Sequence, residues 1–327
     1  MERVCRAGLV QFFQSHPKLK FIFFGGKGGV GKTALAGATA LYLAEKGRKV
    51  LLASTNPVHS LSGLLCQDVF GKETEVQGTN LVALEIDTKE TIVRKKREIK
   101  EKMEWFLKYA DLSGQKTDEF VESATMNPAF EESAMFERMV DLMFEDRYEI
   151  YVFDTAPTAN ARRLLGMSKV YGLWVEKMLA SRRDATSLAR SLSISKKEAQ
   201  DPLLDYLLAF RERIERVHRL LTDEERTAFF FVTLAEALPI AVIRRFIGWF
   251  KEFGIPVGGV IVNGLIDPRY VTDQSHHFVQ NRLRSQERYL EEIFSTFPDV
   301  RALVPRFETE IRGVARLRQT FRYLFPD

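Results

Sequence analysis

Short apolar runs and amphipathic helical segments alternate along most of the chain. The apolar runs have the length of buried strands and lie at 21–24, 49–53, 81–86, 148–153, 228–234, 257–263 and 300–304. Patterns typical of helices follow several of these runs, at 34–46, 127–144 and 278–294. Continuous apolar strands separated by helices are typical of parallel sheets with helices on their faces. The pattern therefore predicts an α/β fold with a mostly parallel central sheet.

Two charged helical segments interrupt this alternation, at about 89–126 and 166–226. We expect one domain over 1–327, with these segments forming a helical elaboration within it. In the second segment, apolar residues recur in alternating steps of four and three, at Leu203, Leu207, Phe210, Ile214, Val217 and Leu221. Such a narrow apolar seam fits a helix packed on the domain, and it equally fits a surface that accepts another helix. A methionine stripe in 127–144, at Met135, Met139 and Met143, favours plain core.

The loop between the first strand and its helix fits the phosphate-loop template G-x-x-x-x-G-K-[ST] from Gly26 to Thr33. Glycines allow backbone N–H groups to point at phosphate oxygens, and the helix N-terminus adds positive potential. Lys32 is placed to hold the terminal phosphates, and the Thr33 hydroxyl to bind Mg²⁺. The loop predicts an ATP site in a P-loop NTPase fold. Its expected nucleotide-binding residues are Gly26, Lys27, Gly28, Gly29, Val30, Gly31, Lys32, Thr33 and Ala34.

Polar residues at the carboxyl ends of other strands are the second part of the predicted site, since ligands of open parallel sheets lie at that edge. Asp154 ends the run 148–153, where a carboxylate orients Mg²⁺ or its water shell, so Thr33 and Asp154 form the expected metal site. An N-cap role for Asp154 is the alternative, which the phosphate loop disfavours. The loop 54–60 should face the phosphates, and Asn263 is well placed to contact adenine.

Composition excludes several classes of function. The chain has 327 residues with a net charge of +4, which does not indicate nucleic-acid binding. Its two cysteines, Cys5 and Cys66, have no disulfide or metal spacing, and the histidines offer no metal constellation. We expect a cytoplasmic protein, because the sequence has no run of 18 apolar residues and no secretory leader.

With these motifs in place, the chain resembles the arsenite-pump and tail-anchored-protein-targeting ATPase family, of the deviant Walker A class that includes MinD and ParA proteins. The loop 25–33 is similar to that family's phosphate loop, with Lys27 as its signature lysine. The segment 54–60 resembles switch I, and 153–158 resembles switch II. The switch residues that the resemblance implies are Asn56, Pro57, His59, Ser60, Thr155, Pro157 and Thr158. The adenine contacts that it implies are Asn263, Pro305 and Phe307.

The resemblance implies a dimeric ATPase that uses ATP and Mg²⁺. Lys27 of each chain would reach the phosphates bound by the partner chain, and Lys32, Asn56 and Asp154 would complete the catalytic set. In targeting members of the family, the helical insert shields the membrane-spanning helix of a tail-anchored client for delivery to a membrane receptor. In pump members, the same motion drives an arsenite channel.

Three departures from the family pattern limit this transfer. Asn56 stands where the family has an aspartate that helps deprotonate the attacking water, and an amide cannot take that proton. We therefore expect normal ATP binding, with hydrolysis that is slow or absent. Asn56 would then be an engineered substitution that traps ATP, or the chain would be one member of a pair whose partner supplies catalysis. His276 and Val279 occupy the positions of a C-x-x-C, so we expect no zinc. Two cysteines are too few for the three-thiolate metalloid site of the pump members.

Three functions follow from these motifs and departures. The first is ATP-dependent targeting of tail-anchored helices through 166–226, which the missing cysteines favour. The second is an ATPase that energises arsenite or anion export. The third is a weakly catalytic regulatory partner, in a heterodimer with an active paralogue.

Overall fold

A computed structural model describes residues 8–55, 60–109, 128–155, 202–272 and 274–326. Several sequence predictions lie outside these ranges. They concern the predicted switch residues Asn56, Pro57, His59, Pro157 and Thr158, and most of the segment 166–226 up to residue 201.

Eight strands in the described part of the chain form one sheet in the order β3-β4-β2-β5-β1-β6-β7-β8. All neighbouring strands are parallel except β3, which pairs antiparallel with β4 at one edge. The strands are β1 (Phe21–Gly25), β2 (Val50–Ser54), β3 (Thr74–Glu75), β4 (Leu81–Glu85), β5 (Ile150–Asp154), β6 (Thr227–Leu234), β7 (Val257–Leu265) and β8 (Val300–Pro305). This sheet confirms the predicted α/β fold of a P-loop NTPase.

Helices connect these strands, as the alternation of patterns predicted. The described helices are α1 (Leu9–Ser15), α2 (Lys32–Glu45), α3 (Ser60–Leu65), α4 (Thr88–Tyr109), α5 (Pro128–Glu145), α6 (Pro202–Thr222), α7 (Ala237–Glu252), α8 (His277–Thr296), α9 (Gly313–Gln319) and α10 (Phe321–Leu324). A 3₁₀ turn, Pro268–Tyr270, follows β7. Helix α2 begins at Lys32, two residues before the predicted start. Asp154 is the last residue of β5 and does not follow the strand.

Aromatic side chains fill both faces of the central strands. On one face, the Phe23 ring stacks between the rings of Phe153 and Phe229, at centroid distances of 4.9 Å and 4.3 Å. On the opposite face, Ile22 and Phe24 belong to the hydrophobic core that the sheet shares with α2. Because each interior strand is buried on both faces, its sequence is apolar without alternation. This burial fixes the strand ends in place and so positions the polar residues that follow.

The chain divides into two compact units. The first comprises 1–91, 135–158 and 222–327, and it contains the whole sheet. Met135, Met139 and Met143 are buried in it, which confirms the prediction that the methionine stripe is core.

The second unit comprises 92–134 and 159–221. Of the predicted apolar seam in this unit, Ile214 and Val217 are half-buried, whereas the side chains of Leu203, Leu207 and Phe210 lie outside the description. Both interpretations of the seam therefore stay predictions. None of the helices in the described ranges combines the length and apolar character needed to cross a bilayer.

Candidate functional site

The loop between β1 and α2 is held in a shape that requires glycine at two positions. Gly26 has a φ of 142° and Gly31 a φ of 92°, and residues with a side chain rarely adopt these values. A Cβ at Gly26 would lie 2.3 Å from the Val232 carbonyl oxygen, and one at Gly31 would lie 2.2 Å from Nδ2 of Asn263. Residues of β6 and β7 therefore pack directly against the loop backbone, and a side chain at Gly26 or Gly31 would clash with them.

Lys32 is the first residue of α2, and its side chain folds back over the loop. Its Nζ donates a hydrogen bond to the Lys27 carbonyl oxygen at 3.1 Å. Burial lowers the pKa of Lys32, and the nearby Asp154 carboxylate opposes this effect. A buried cation needs negative charge beside it, so the lysine is suited to hold an anion at the loop.

Asp154 is buried and receives two hydroxyl groups on one oxygen. Thr33 Oγ1 donates to its Oδ2 at 2.6 Å, and Ser54 Oγ donates to the same oxygen at 3.2 Å. Burial raises the pKa of Asp154, while the Thr33 hydrogen bond, Lys32 and the Ser54 hydrogen bond act in the opposite direction. The carboxylate therefore lies directly against the start of α2.

Thr33 and Asp154, predicted as the metal site from residues 121 positions apart, are thus in direct contact. Their donor atoms are a hydroxyl and a carboxylate, the hard oxygen ligands that Mg²⁺ prefers. In phosphate-loop proteins, these two groups hold Mg²⁺ together with nucleotide phosphates. The residues present fit Mg²⁺ bound with a nucleotide.

Asn263 on β7 braces the phosphate loop: its Nδ2 donates to the Val30 carbonyl oxygen at 2.9 Å. The other predicted adenine contacts lie at the end of the adjacent strand. Pro305 ends β8 and is in register with Leu265, and Phe307 is half-buried two residues further on. The three residues thus occupy neighbouring strand ends, and their contact with adenine stays a prediction.

Two predicted switch residues lie within the described ranges. Ser60 is the first residue of α3. Thr155 follows β5, and its Oγ1 donates to the Phe24 carbonyl oxygen at 2.8 Å. The proposed role of Asn56 stays a prediction, because that residue lies outside the description.

His276, predicted at a lost zinc position, caps α8: its Nδ1 accepts a hydrogen bond from the Phe278 backbone N–H at 3.1 Å. Among the described residues there is no cluster of three or more histidine, cysteine or acidic side chains placed to hold a metal ion.

Sequence reasoning did not identify the roles of two buried polar residues at this edge of the sheet. Ser54 donates to Asp154, as described above. Glu85 ends β4 and is 1% exposed. An acidic residue inside the apolar run 81–86 was the available signal, because a charge is buried only where partners satisfy it.

One protein family and three known proteins are similar to this chain over most of its length. The family described as anion-transporting ATPase matches residues 19–325. The putative arsenical pump-driving ATPase 2 of Aquifex aeolicus is 31% identical over 314 residues, which cover 94% of this chain and 99% of that protein. ATPase ASNA1 homolog 2 of Paramecium tetraurelia is 27% identical and covers 93% of both chains. ATPase GET3A of Arabidopsis thaliana is 29% identical over 97% of this chain and 87% of its own length.

The raised pKa of Asp154 predicts a pH dependence of stability. Its folded-state pKa lies above the ordinary value of 3.8, so as pH falls the folded protein takes up a proton before the unfolded chain does. Relative to Asp154→Asn, the wild type should therefore gain stability as pH falls through the raised pKa. The gain should be complete once pH is below the unfolded value.

This dependence can be measured by urea unfolding of both proteins between about pH 4 and pH 7.5, without Mg²⁺ or nucleotide. Carboxylates that do not interact with Asp154 are common to the two proteins and cancel in the difference. A stability difference that stays constant over this range, or one that changes in favour of the variant at low pH, would contradict the assignment.

Proposed function

The chain belongs to the anion-transporting ATPase family, and we propose that it is an ATP-dependent switch that captures and delivers tail-anchored membrane-protein helices. The family resemblance inferred from the motifs is confirmed by the match to residues 19–325. One observation carries the nucleotide part of the proposal: the contact between Thr33 and the buried Asp154 beneath a glycine loop. The targeting part comes from the resemblance and from the small number of cysteines.

Nucleotide binding is assigned to the loop and the start of α2. The backbone N–H groups of 26–34 and the Lys32 ammonium would bind the phosphates, while Thr33 and Asp154 would hold Mg²⁺. Mg²⁺, when bound, neutralises charge on the phosphate oxygens. Lys32 supplies further positive charge from a partly desolvated position, where an electrostatic interaction is stronger than in water.

We assign dimerisation to the face that exposes the loop. Gly28 and Gly29 are exposed at its tip, and Lys27 beside them is half-buried. A Cβ at Gly28 or Gly29 would have no neighbour within 4 Å in the described chain. This open side supports an approach by a second chain, whose Lys27 would add positive charge at the phosphates. The second chain is an identical copy, or a paralogue if the third function below applies.

Two other functions have specific support. The name of the Aquifex aeolicus relative, a putative arsenical pump-driving ATPase, favours an ATPase that energises arsenite or anion export. Against it, the sequence has only two cysteines, Cys5 and Cys66, which are too few for the three-thiolate metalloid site of the pump members. Asn56 favours the third function, a weakly catalytic partner of an active paralogue.

Hydrolysis by this chain should be limited by Asn56. Asn56→Asp should raise steady-state ATP turnover by about 10²-fold or more, because a positioned general base contributes on that order. Turnover is measured by phosphate release at saturating Mg·ATP. Asn80→Asp, an exposed change of the same chemistry, should leave turnover unchanged. Equal turnover in the wild type and Asn56→Asp would contradict the assignment.

The targeting function is tested with a defined client in a cell-free system. A tail-anchored protein with an intact C-terminal apolar helix should bind the purified chain with ATP, and one whose helix carries three arginines should not. Lys32→Ala should abolish capture, while the change of exposed Lys46 to alanine should not. Absent capture together with arsenite-stimulated turnover would favour the pump function. Catalysis that requires a co-purified homologue with aspartate at the switch position would favour the third.

A further inference from the structure

Glu85 is a buried carboxylate that the proposed reaction does not use directly. It ends β4 and accepts hydrogen bonds from the start of α3. Its Oε1 accepts from the Leu61 backbone N–H at 3.0 Å. Its Oε2 accepts from Ser62 Oγ at 2.6 Å and from the Ser62 backbone N–H at 3.3 Å. The first turn of α3 is thus bound to the end of a sheet strand by a charged group.

The sheet places Glu85 in one row with the proposed metal site. In register, Ser54 on β2 lies between Glu85 on β4 and Asp154 on β5. Residues in register on neighbouring parallel strands point to the same face of the sheet. Ser54 Oγ donates to Asp154, and the charge of Glu85 adds to burial in raising the pKa of Asp154. The two carboxylates therefore lie in one row, on either side of Ser54.

This row holds two helices by the same means. Asp154 receives the Thr33 hydroxyl in the first turn of α2, and Glu85 receives the Ser62 hydroxyl in the first turn of α3. The two helices also pack closely, since a Cβ at Gly37 of α2 would lie 2.9 Å from Cδ2 of Leu64. Because α2 carries Thr33, a change at the nucleotide site has a short packed route to α3.

We infer that Glu85 is a positioning residue, which holds the start of α3 in a fixed relation to Asp154 and transmits nucleotide state to Ser60–Leu65. This inference rests on the proposed nucleotide switch. Ser60, the first residue of α3, is part of the predicted switch sequence, and Glu85 binds the two residues that follow it, Leu61 and Ser62, to the sheet. Glu85 does not contact nucleotide in this assignment and acts through α3.

A merely structural role is the alternative, since removing one partner of a buried charged hydrogen bond destabilises any protein. The two roles differ in what nucleotide does. A structural role lowers overall stability and leaves the response of α3 to nucleotide intact. A positioning role removes that response and leaves nucleotide binding at the phosphate loop nearly unchanged.

Hydrogen exchange of the amides of 60–65 distinguishes these roles in the wild type, Glu85→Gln and Ser62→Ala. Each is measured without nucleotide, with Mg·ADP and with Mg·ATP. In Glu85→Gln the Leu61 and Ser62 amides should exchange about tenfold faster without nucleotide, because the new side chain offers one neutral acceptor oxygen in place of two carboxylate oxygens. Ser62→Ala keeps both backbone bonds to Glu85 and should show a smaller increase.

The decisive comparison is the difference in protection of 60–65 between Mg·ATP and Mg·ADP. It should be present in the wild type, reduced in Ser62→Ala and absent in Glu85→Gln, while Mg·ADP affinity stays within about twofold of the wild type. Glu75→Gln, a matched change of an exposed carboxylate on the neighbouring strand β3, should retain the full difference.

The outcomes separate the inference from the proposed function. A wild type that binds Mg·ATP and Mg·ADP with identical protection of 60–65 would overturn the switch function and this inference together. A wild type that responds, beside a Glu85→Gln protein that responds equally, would overturn the inference and leave the switch function standing. If Glu85→Gln does not fold, an undiminished response in Ser62→Ala would still overturn the inference.

Discussion

The hydrogen bond from the Thr33 hydroxyl to the Asp154 carboxylate is the interaction on which the site depends. It joins the first turn of α2 to the end of β5, across 121 residues of sequence. Asp154 is buried, and an isolated buried charge is costly, so its hydroxyl and lysine neighbours are needed to stabilise it. Burial nevertheless raises the pKa of Asp154. A further positive charge, such as a bound cation would provide, would therefore stabilise the charged form of this carboxylate.

The same arrangement occurs again two strands away in the sheet, at the end of β4, and this repetition connects the parts of the candidate site. A carboxylate at the end of β4 holds α3 as the carboxylate at the end of β5 holds α2. Apolar strands that are buried on both faces fix these ends rigidly, so polar groups there keep their geometry. Close packing at Gly26, Gly31 and Gly37 leaves little room for the loop or α3 to move independently. Chemistry at the loop and movement of α3 are thus expected to be linked.

The strands could be predicted from sequence because a parallel strand buried on both faces reads as one apolar run, as at 21–24 and 148–153. The contact of Thr33 with Asp154 was also predictable, since the loop before Thr33 starts at the carboxyl end of one strand and Asp154 lies at the carboxyl end of another, on the same edge of the sheet. Strand β3 has two residues and leaves no periodic signal. The role of Glu85 depends on how α3 packs against β4, and the close approach of the Val232 backbone to Gly26 depends on strand order. Neither is encoded in local spacing. The apolar seam at 203–221 predicts a helix with one apolar face, but the spacing does not identify what packs against that face, so its function stayed open.

Mg·ATP binding in a double-mutant cycle of Thr33→Ala and Asp154→Asn tests the central claim most directly. Titration calorimetry at fixed Mg²⁺ gives the four affinities, and the same titrations with EDTA and ATP give the metal-independent part. Each single variant should bind Mg·ATP about tenfold or more weakly, with the double variant little weaker than either, a coupling on the order of 1 kcal/mol or more. With EDTA the four proteins should bind ATP within about threefold of one another. Mg·ATP affinities equal to the wild type in both single variants, or losses that simply add in the double variant, would contradict the assignment of these residues to one metal–nucleotide site.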